Sequence, residues 1–213
     1  FTRADRSLLV IHGFMGSIHG TFGFSEDTVR RLGSAYDDRM FAYNHPTLSP
    51  SPRRNAEDLL ERLDGHELSL DILAHSRGGL VARELARLTE GSRIDIRSIV
   101  FVASPNAGTP IADPERPAGL LDGVTNFVGN IPGSDGFALV LEMLADVVFR
   151  GALPGLDGLT AMQPGGDYLT ELNSQPVPEH IVLRSIAAEY APAATAEPSA
   201  EPRQTDLTTP AVP

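Results

Sequence analysis

Short apolar runs alternate with amphipathic segments along the first half of the chain. Each apolar run is brief and continuous, which is typical of a strand buried in a parallel sheet. The runs are residues 7–13, 38–43, 68–75 and 96–103. The segments between them place apolar residues three or four positions apart, which predicts helices with one buried face. These helices are residues 25–32, 53–63 and 77–88.

Strands that alternate with helices predict an α/β fold with a mostly parallel sheet and helices on both faces. A long insertion follows at about residues 111–175, and a last strand is predicted at residues 181–186. The insertion contains a strongly apolar helix at residues 137–150. This helix is interpreted either as core packing or as a helical cap over an apolar substrate pocket.

This pattern divides the chain into a predicted domain and a C-terminal segment of low apolar content. Residues 1–190 are expected to form one domain that includes the cap insertion. Residues 191–213 are rich in Ala, Pro, Thr and Glu, so we expect either a poorly ordered tail or the truncated end of the domain.

The third apolar run leads directly into a tight turn that carries Ser76. Small residues, Ala74 and Gly78, stand two positions on either side of it, and a helix pattern follows at once. This is the pattern of a nucleophile elbow, in which larger side chains at the flanking positions would clash. The N-terminus of the next helix would then stabilise negative charge that develops beside the serine. The alternative is a serine that only caps this helix.

The composition excludes some classes of function but does not identify the function. The net charge of −11 argues against nucleic acid as a partner, because such proteins need clustered Lys and Arg. The chain contains no cysteine, and no apolar run is long enough to span a bilayer. A cytoplasmic location is slightly favoured, and secretion stays open because the first residue is Phe, not Met, which is compatible with removal of a signal peptide.

Three motifs in the same order resemble those of α/β-hydrolases. Residues 12–14 (His-Gly-Phe) resemble the oxyanion loop, and residues 74–79 (Ala-His-Ser-Arg-Gly-Gly) resemble the elbow. Residues 103–110 resemble a loop of lipases and of the GPI-inositol deacylase-like branch. The resemblance implies ester hydrolysis through an acyl-serine, with no metal and no cofactor. The expected substrate is a small-molecule or lipid ester.

The resemblance also implies roles for single residues. Ser76 would be the nucleophile, and the backbone N–H groups of Phe14 and Arg77 would form the oxyanion hole. The family acid and then a histidine follow the nucleophile along the chain. Asp206 lies in a segment that faintly resembles the one carrying the family acid, and Glu189 is the alternative.

The sequence departs from the family pattern at the general base. Only His180 follows the predicted nucleophile, and we expect it at the wrong end of the last strand. We favour a base that lies beyond Pro213. The alternatives are an upstream histidine, namely His12, His19 or His45, and an inactive relative. His12 is expected to hold the oxyanion loop by hydrogen bonding.

Two functional hypotheses therefore stand side by side. The first is a serine esterase or lipase-like hydrolase. The second is a catalytically incomplete domain that binds a lipid or a partner protein through the same pocket. An intact elbow favours the first hypothesis, while the absent downstream histidine favours the second.

Overall fold

The computed structural model describes residues 6–14, 16–18, 24–109, 112 and 155–187, and these residues contain five strands and five helices. The strands are β1 (Arg6–Ile11), β2 (Met40–Tyr43), β3 (Leu68–His75), β4 (Ile94–Val102) and β5 (Val182–Ile186). The helices are α1 (Glu26–Tyr36), α2 (Pro52–Arg62), α3 (Gly78–Leu88), α4 (Asp157–Thr160) and α5 (Asp167–Ser174).

The five strands form one sheet in the order β2-β1-β3-β4-β5, and every pairing is parallel. The predicted α/β architecture is therefore confirmed. Parallel strands all end at the same edge of a sheet, and we call this the carboxyl edge. Residues 12–14, Ser76 and Ser104 follow the ends of β1, β3 and β4, so the three sequence motifs meet at this edge.

Helices cover both faces of the sheet, as the alternation of apolar side chains in β1 shows. Leu9 and Ile11 belong to the main core with residues of α2 and α3. Leu8 and Val10 point to the opposite face, where they pack with Tyr36 of α1. Because β1 is buried on both faces, its sequence is continuously apolar instead of alternating.

Side-chain caps determine where two of these helices begin. The hydroxyl of Ser25 accepts the backbone N–H of Thr28 at 3.2 Å, as the sequence predicts, and starts α1. Ser51 accepts the N–H of Arg54 in the same way at the start of α2. Helix α3 begins directly after the Ser76 turn without a side-chain cap. Its first N–H groups are therefore not satisfied by a capping side chain.

A smaller apolar cluster lies at the carboxyl edge around Leu80 of α3. Phe14 of the predicted oxyanion loop packs against it. The other members come from the two ends of the predicted insertion: Ala112, Leu156, Leu159, Met162, Tyr168, Leu169 and Leu172. Both ends of the insertion therefore lie beside the elbow. The predicted helix at residues 137–150 and the predicted tail at residues 191–213 lie outside the described residues.

The described helices are all too short or too polar to cross a lipid bilayer.

Candidate active site

The turn between β3 and α3 holds Ser76 in a backbone conformation that L-amino acids rarely adopt. Its φ angle is +50°, in the left-handed region. The backbone N–H of Ser76 donates to the carbonyl of Val102 at 2.8 Å, and its own carbonyl accepts from Gly79 at 2.9 Å. Such a conformation costs about 1–3 kcal/mol and persists only where the surroundings enforce it. The strand-to-helix geometry of a nucleophile elbow is therefore present at this serine.

Two glycines allow the loop after β1 to approach this turn closely. A Cβ atom on Gly13 would lie 2.7 Å from the Cβ of Ser76, and one on Gly78 would lie 2.6 Å from the carbonyl oxygen of His12. Real Cβ atoms do not approach other atoms this closely, so neither site has room for a side chain. The glycines expected from the motifs thus have a common cause, which is the contact between residues 12–14 and the elbow.

Two backbone N–H groups at this contact are available to a ligand. Within the described residues, no acceptor is hydrogen-bonded to the N–H of Phe14 or of Arg77. Arg77 stands at the N-cap position of α3, so its N–H lies at the positive end of the helix dipole. An anionic oxygen beside Ser76 would find donors and a favourable potential here.

His12 holds the loop that carries the first of these donors, the N–H of Phe14. Its side chain is 1% exposed, and its Nε2 accepts the backbone N–H of His45 at 3.1 Å. Nδ1 must then carry the proton, and it donates to the carbonyl of Gly13 at 2.8 Å. Burial lowers the pKa of His12. Both ring nitrogens are occupied by the backbone, which leaves neither free to take a proton from Ser76.

His45, an alternative base in the sequence analysis, is part of a buried stack. Its ring lies between those of His12 and Tyr43, with centroid distances of 4.2 and 5.0 Å. Burial and the neighbouring His12 lower the pKa of His45 to about 3. Its Nε2 is buried and has no hydrogen-bond partner among the described residues. This histidine is neutral at physiological pH and packs against His12, which holds the loop of residues 12–14.

His180 and His66 lie at the other edge of the sheet, because each precedes a strand whose far end is at the carboxyl edge. His180 is exposed, and its Nε2 lies 3.8 Å from Asp95. The expectation that His180 stands at the wrong end of its strand therefore agrees with the geometry. His19 and the two acid candidates, Glu189 and Asp206, lie outside the described residues.

Three groups at the elbow were not predicted from the sequence. The side chain of Arg77 is completely buried, although only its backbone N–H was assigned a role. The hydroxyl of Ser104 faces the backbone of Gly79 and is buried, with no partner in the described part of the chain. Glu84 of α3 is buried and accepts from Tyr168 at 2.8 Å. The sequence offers one signal for Arg77, its position directly after Ser76, and none that separates Glu84 from the neighbouring charged residues of α3.

The strand order, the elbow and the glycine loop together define the class of this protein, which has the α/β-hydrolase fold. Two of the solved structures that it resembles are an esterase and a lipase. The metagenomic carboxyl esterase MGS0156 aligns with a TM-score of 0.51 and 18% identity, over 86% of this chain and 50% of that chain. The mature Bacillus licheniformis lipase BlEst2 aligns with a TM-score of 0.51 and 16% identity, over 85% of this chain and 65% of that chain.

The family model described as a domain of unknown function, DUF7379, matches residues 1–209, and the chain belongs to that family. No curated protein matches the chain. At the identities given above, the two solved structures establish the fold alone. The chain spans half the length of the esterase and 65% of the length of the lipase.

Proposed function

We propose that this protein is a serine hydrolase that cleaves carboxylic esters through an acyl-serine intermediate. The observation that carries the proposal is the geometry at Ser76. A serine with a φ of +50° joins a buried strand to an uncapped helix, and the glycine loop of residues 12–14 is packed against it. A capping serine without chemistry would not need this strain or this contact.

The proposed reaction uses Ser76 and the two free N–H groups. The hydroxyl oxygen of Ser76 attacks the ester carbonyl carbon, and its proton passes to a general base. The N–H groups of Phe14 and Arg77 stabilise the negative oxygen of the tetrahedral intermediate. The alcohol leaves with the proton from the base, and water then hydrolyses the acyl-serine by the same steps.

The acid and the base complete the proposal. Asp206 is the proposed acid because its segment resembles the one that carries the family acid, and Glu189, just past the predicted last strand, is the alternative. The hydrogen bonds of His12 and the burial of His45 argue against either as the base. His75 is interpreted as packing beside the nucleophile, which leaves His19 or a histidine beyond Pro213 as the proposed base, and we favour the latter. Two similar solved structures are named as an esterase and a lipase, and these names support a carboxylic ester as the substrate class.

The proposal is tested by ester hydrolysis. The full-length protein and its Ser76→Ala variant are compared on a short-chain chromogenic ester, and both are treated with a fluorophosphonate whose adduct is located by mass spectrometry. We expect hydrolysis and a single adduct on Ser76 in the wild type, and neither in the variant. Equal hydrolysis by the two proteins, or an adduct elsewhere, would refute the assignment.

One observation favours a second candidate function. Among the described histidines, His12 and His45 are held in the buried stack, and His75 ends β3 with its ring against Gly13. His66 and His180 lie at the edge opposite Ser76. A domain without a base would bind a lipid or a partner protein at the same edge. A folded wild-type protein that resists the fluorophosphonate and yet binds fatty-acyl vesicles would favour this candidate.

Within the first candidate, a finer assignment is a lipid deacylase of the GPI-inositol deacylase-like branch. The resemblance of residues 103–110 supports it. Deacylation of an inositol-acylated phosphatidylinositol, measured by release of the inositol-linked fatty acid and compared with deacylation of phosphatidylcholine, tests this assignment.

A further inference from the structure

We propose that the Arg77 side chain is a positioning group that fixes the elbow by fastening it to two other segments at the carboxyl edge. The inference rests on the proposed function, because Arg77 follows the proposed nucleophile and supplies a proposed oxyanion donor. It concerns the guanidinium, which the catalytic scheme above does not use.

The burial of Arg77 is unusual for a cation. Its side chain is 0% exposed, and no described carboxylate lies within ion-pair distance of it. Burial lowers the pKa of Arg77 to about 10, so the group is still charged at neutral pH. A buried charge without a counter-ion costs several kcal/mol, and an apolar residue of similar volume is often more stable. Stability alone is therefore a poor reason for an arginine here.

The guanidinium instead ties separate parts of the chain together. Its Nε donates to the carbonyl of Gly158 in α4 at 3.0 Å, and its Nη2 donates to the carbonyl of Pro50 in the loop after β2. These two segments also contact each other, since the N–H of Gly158 donates to the carbonyl of Leu48 at 2.9 Å. A Cβ on Gly158 would lie 2.0 Å from the carbonyl oxygen of Thr47. Three segments are thus held by one planar group.

This anchoring acts on the reaction through the peptide between Ser76 and Arg77. The far end of the side chain is fixed, which restrains the Cα of Arg77 and with it the direction of its N–H. The same restraint opposes relaxation of the strained φ at Ser76. The Nη1 atom is buried and has no hydrogen-bond partner within the described ranges. Within the described ranges, only carbonyl dipoles balance the positive charge, and it favours the negative oxygen that forms beside the elbow.

Arg83 provides a matched control on the same helix. It also leaves α3 to bind another segment, because it donates to the carbonyl of Leu172 at 3.0 Å and to the side chain of Asn173 at 2.8 Å. It is half-buried and lies farther along α3 from Ser76. Arg83→Met removes comparable hydrogen bonds without touching the peptide at the elbow.

The experiment compares Arg77→Met, Arg77→Lys and Arg83→Met by kcat and KM on the chromogenic ester and by the rate of Ser76 phosphonylation. All values are normalised to folded protein. We expect Arg77→Met to lower kcat about tenfold to 100-fold with KM nearly unchanged, since a misdirected oxyanion donor affects the transition state. Arg77→Lys keeps the charge but lacks the planar guanidinium with its several donors. Its kcat should therefore lie between the values for the wild type and Arg77→Met. Arg83→Met should lower the melting temperature and leave kcat within about twofold.

Hydrogen exchange at Gly158 supplies a readout that does not depend on turnover. Arg77→Met should accelerate exchange of this N–H, whereas Arg83→Met should not. If the wild type is active and both methionine variants lose kcat equally, the positioning role is wrong and the proposed function stands. If the wild type neither hydrolyses the ester nor reacts with the phosphonate, the proposed function fails and the catalytic role of Arg77 fails with it. Should Arg77→Met not fold, Arg77→Lys decides, because a kcat equal to that of the wild type would overturn the inference.

Discussion

Two buried charged residues, Asp71 in the middle of β3 and Arg77 just after the end of that strand, have opposite surroundings. Asp71 is 5% exposed, and three side chains satisfy it. Arg6 lies 3.2 Å from Oδ1, Ser98 donates to Oδ1 at 2.6 Å, and Tyr36 donates to Oδ2 at 3.1 Å. Arg77 is more deeply buried, and its side-chain partners in the described part of the chain are two backbone carbonyls.

The difference distinguishes a charged residue that stabilises the fold from one that belongs to the candidate active site. In the middle of the sheet, both carboxylate oxygens of Asp71 have partners, because an unsatisfied group there would only lower stability. At the carboxyl edge, the side chains of Arg77, His45 and Ser104 each retain a buried atom that no described residue satisfies. Ser76 is held in a strained conformation in the same place. Buried unsatisfied atoms also occur at Arg39 and Asn55, and positive φ angles at Asp37 and Asp38, but the carboxyl edge brings both kinds of local cost together around Ser76, as a functional site predicts.

The largest effect is expected from Ser76→Gly. Hydrolysis should fall by about 10⁴-fold or more, since the nucleophile is lost. Stability should rise by roughly 1 kcal/mol, because glycine adopts a φ of +50° without strain. Urea unfolding and ester turnover measure the two effects. A Ser76→Gly protein less stable than Ser76→Ala would show that the turn is not strained.

Gly13→Ala should break the contact between the oxyanion loop and the elbow. The new methyl group would meet the Cβ of Ser76 at 2.7 Å, so the loop must move away. Displacing one oxyanion donor should lower kcat about 100-fold. The control is Gly91→Ala, where the space is open but φ is +76°. It should lose about 1 kcal/mol of stability while its kcat stays constant.

Asp71→Ala tests the structural side of the comparison. Three donors would lose their common acceptor, and we expect the free energy of unfolding to fall by about 3 kcal/mol. Turnover per folded molecule should not change. Asp95→Ala serves as the control, because Asp95 is exposed and its pair with Arg97 should contribute less than about 1 kcal/mol. A loss of turnover in folded Asp71→Ala would contradict the separation of the two regions.

The smallest effect is a pH dependence that originates in the buried histidine stack. His45 has a folded-state pKa of about 3 against an ordinary value of 6.5. The unfolded chain therefore takes up a proton below pH 6.5 that the folded protein does not, and stability falls as the pH drops toward 3. His45 should contribute about 2 kcal/mol of this loss between pH 7 and pH 5. His45→Phe keeps the stack, and its unfolding energy should fall less steeply over that range.

Much of the fold was predictable from local patterns. The strand at residues 68–75 was located to the residue, and the helix that begins after Ser25 was recognised from its cap. Continuous apolar runs indicated a sheet buried on both faces, and that is the arrangement of β1. The turn that carries the proposed nucleophile was equally predictable, because the small residues at positions 74 and 78 reflect a steric requirement of the turn itself.

The carboxyl-edge arrangement was not predictable in the same way. His12, His45 and His19 were weighed together as loop histidines, and nothing in their neighbours along the chain indicated that the first two stack on each other. The pairing of Arg77 with carbonyls at positions 50 and 158 joins residues far apart in sequence. Neither contact follows from periodicity, because both depend on how β1, β2 and α4 come together.

The sequence by itself determined the class of fold, the order of its elements and the turn that carries Ser76. These features follow from local sterics and from burial periodicity, which act over a few residues at a time. Only the tertiary structure decided which buried polar groups would be satisfied and which would not. That outcome depends on long-range contacts, and it separates Asp71, which supports the sheet, from Arg77, which supports the proposed site.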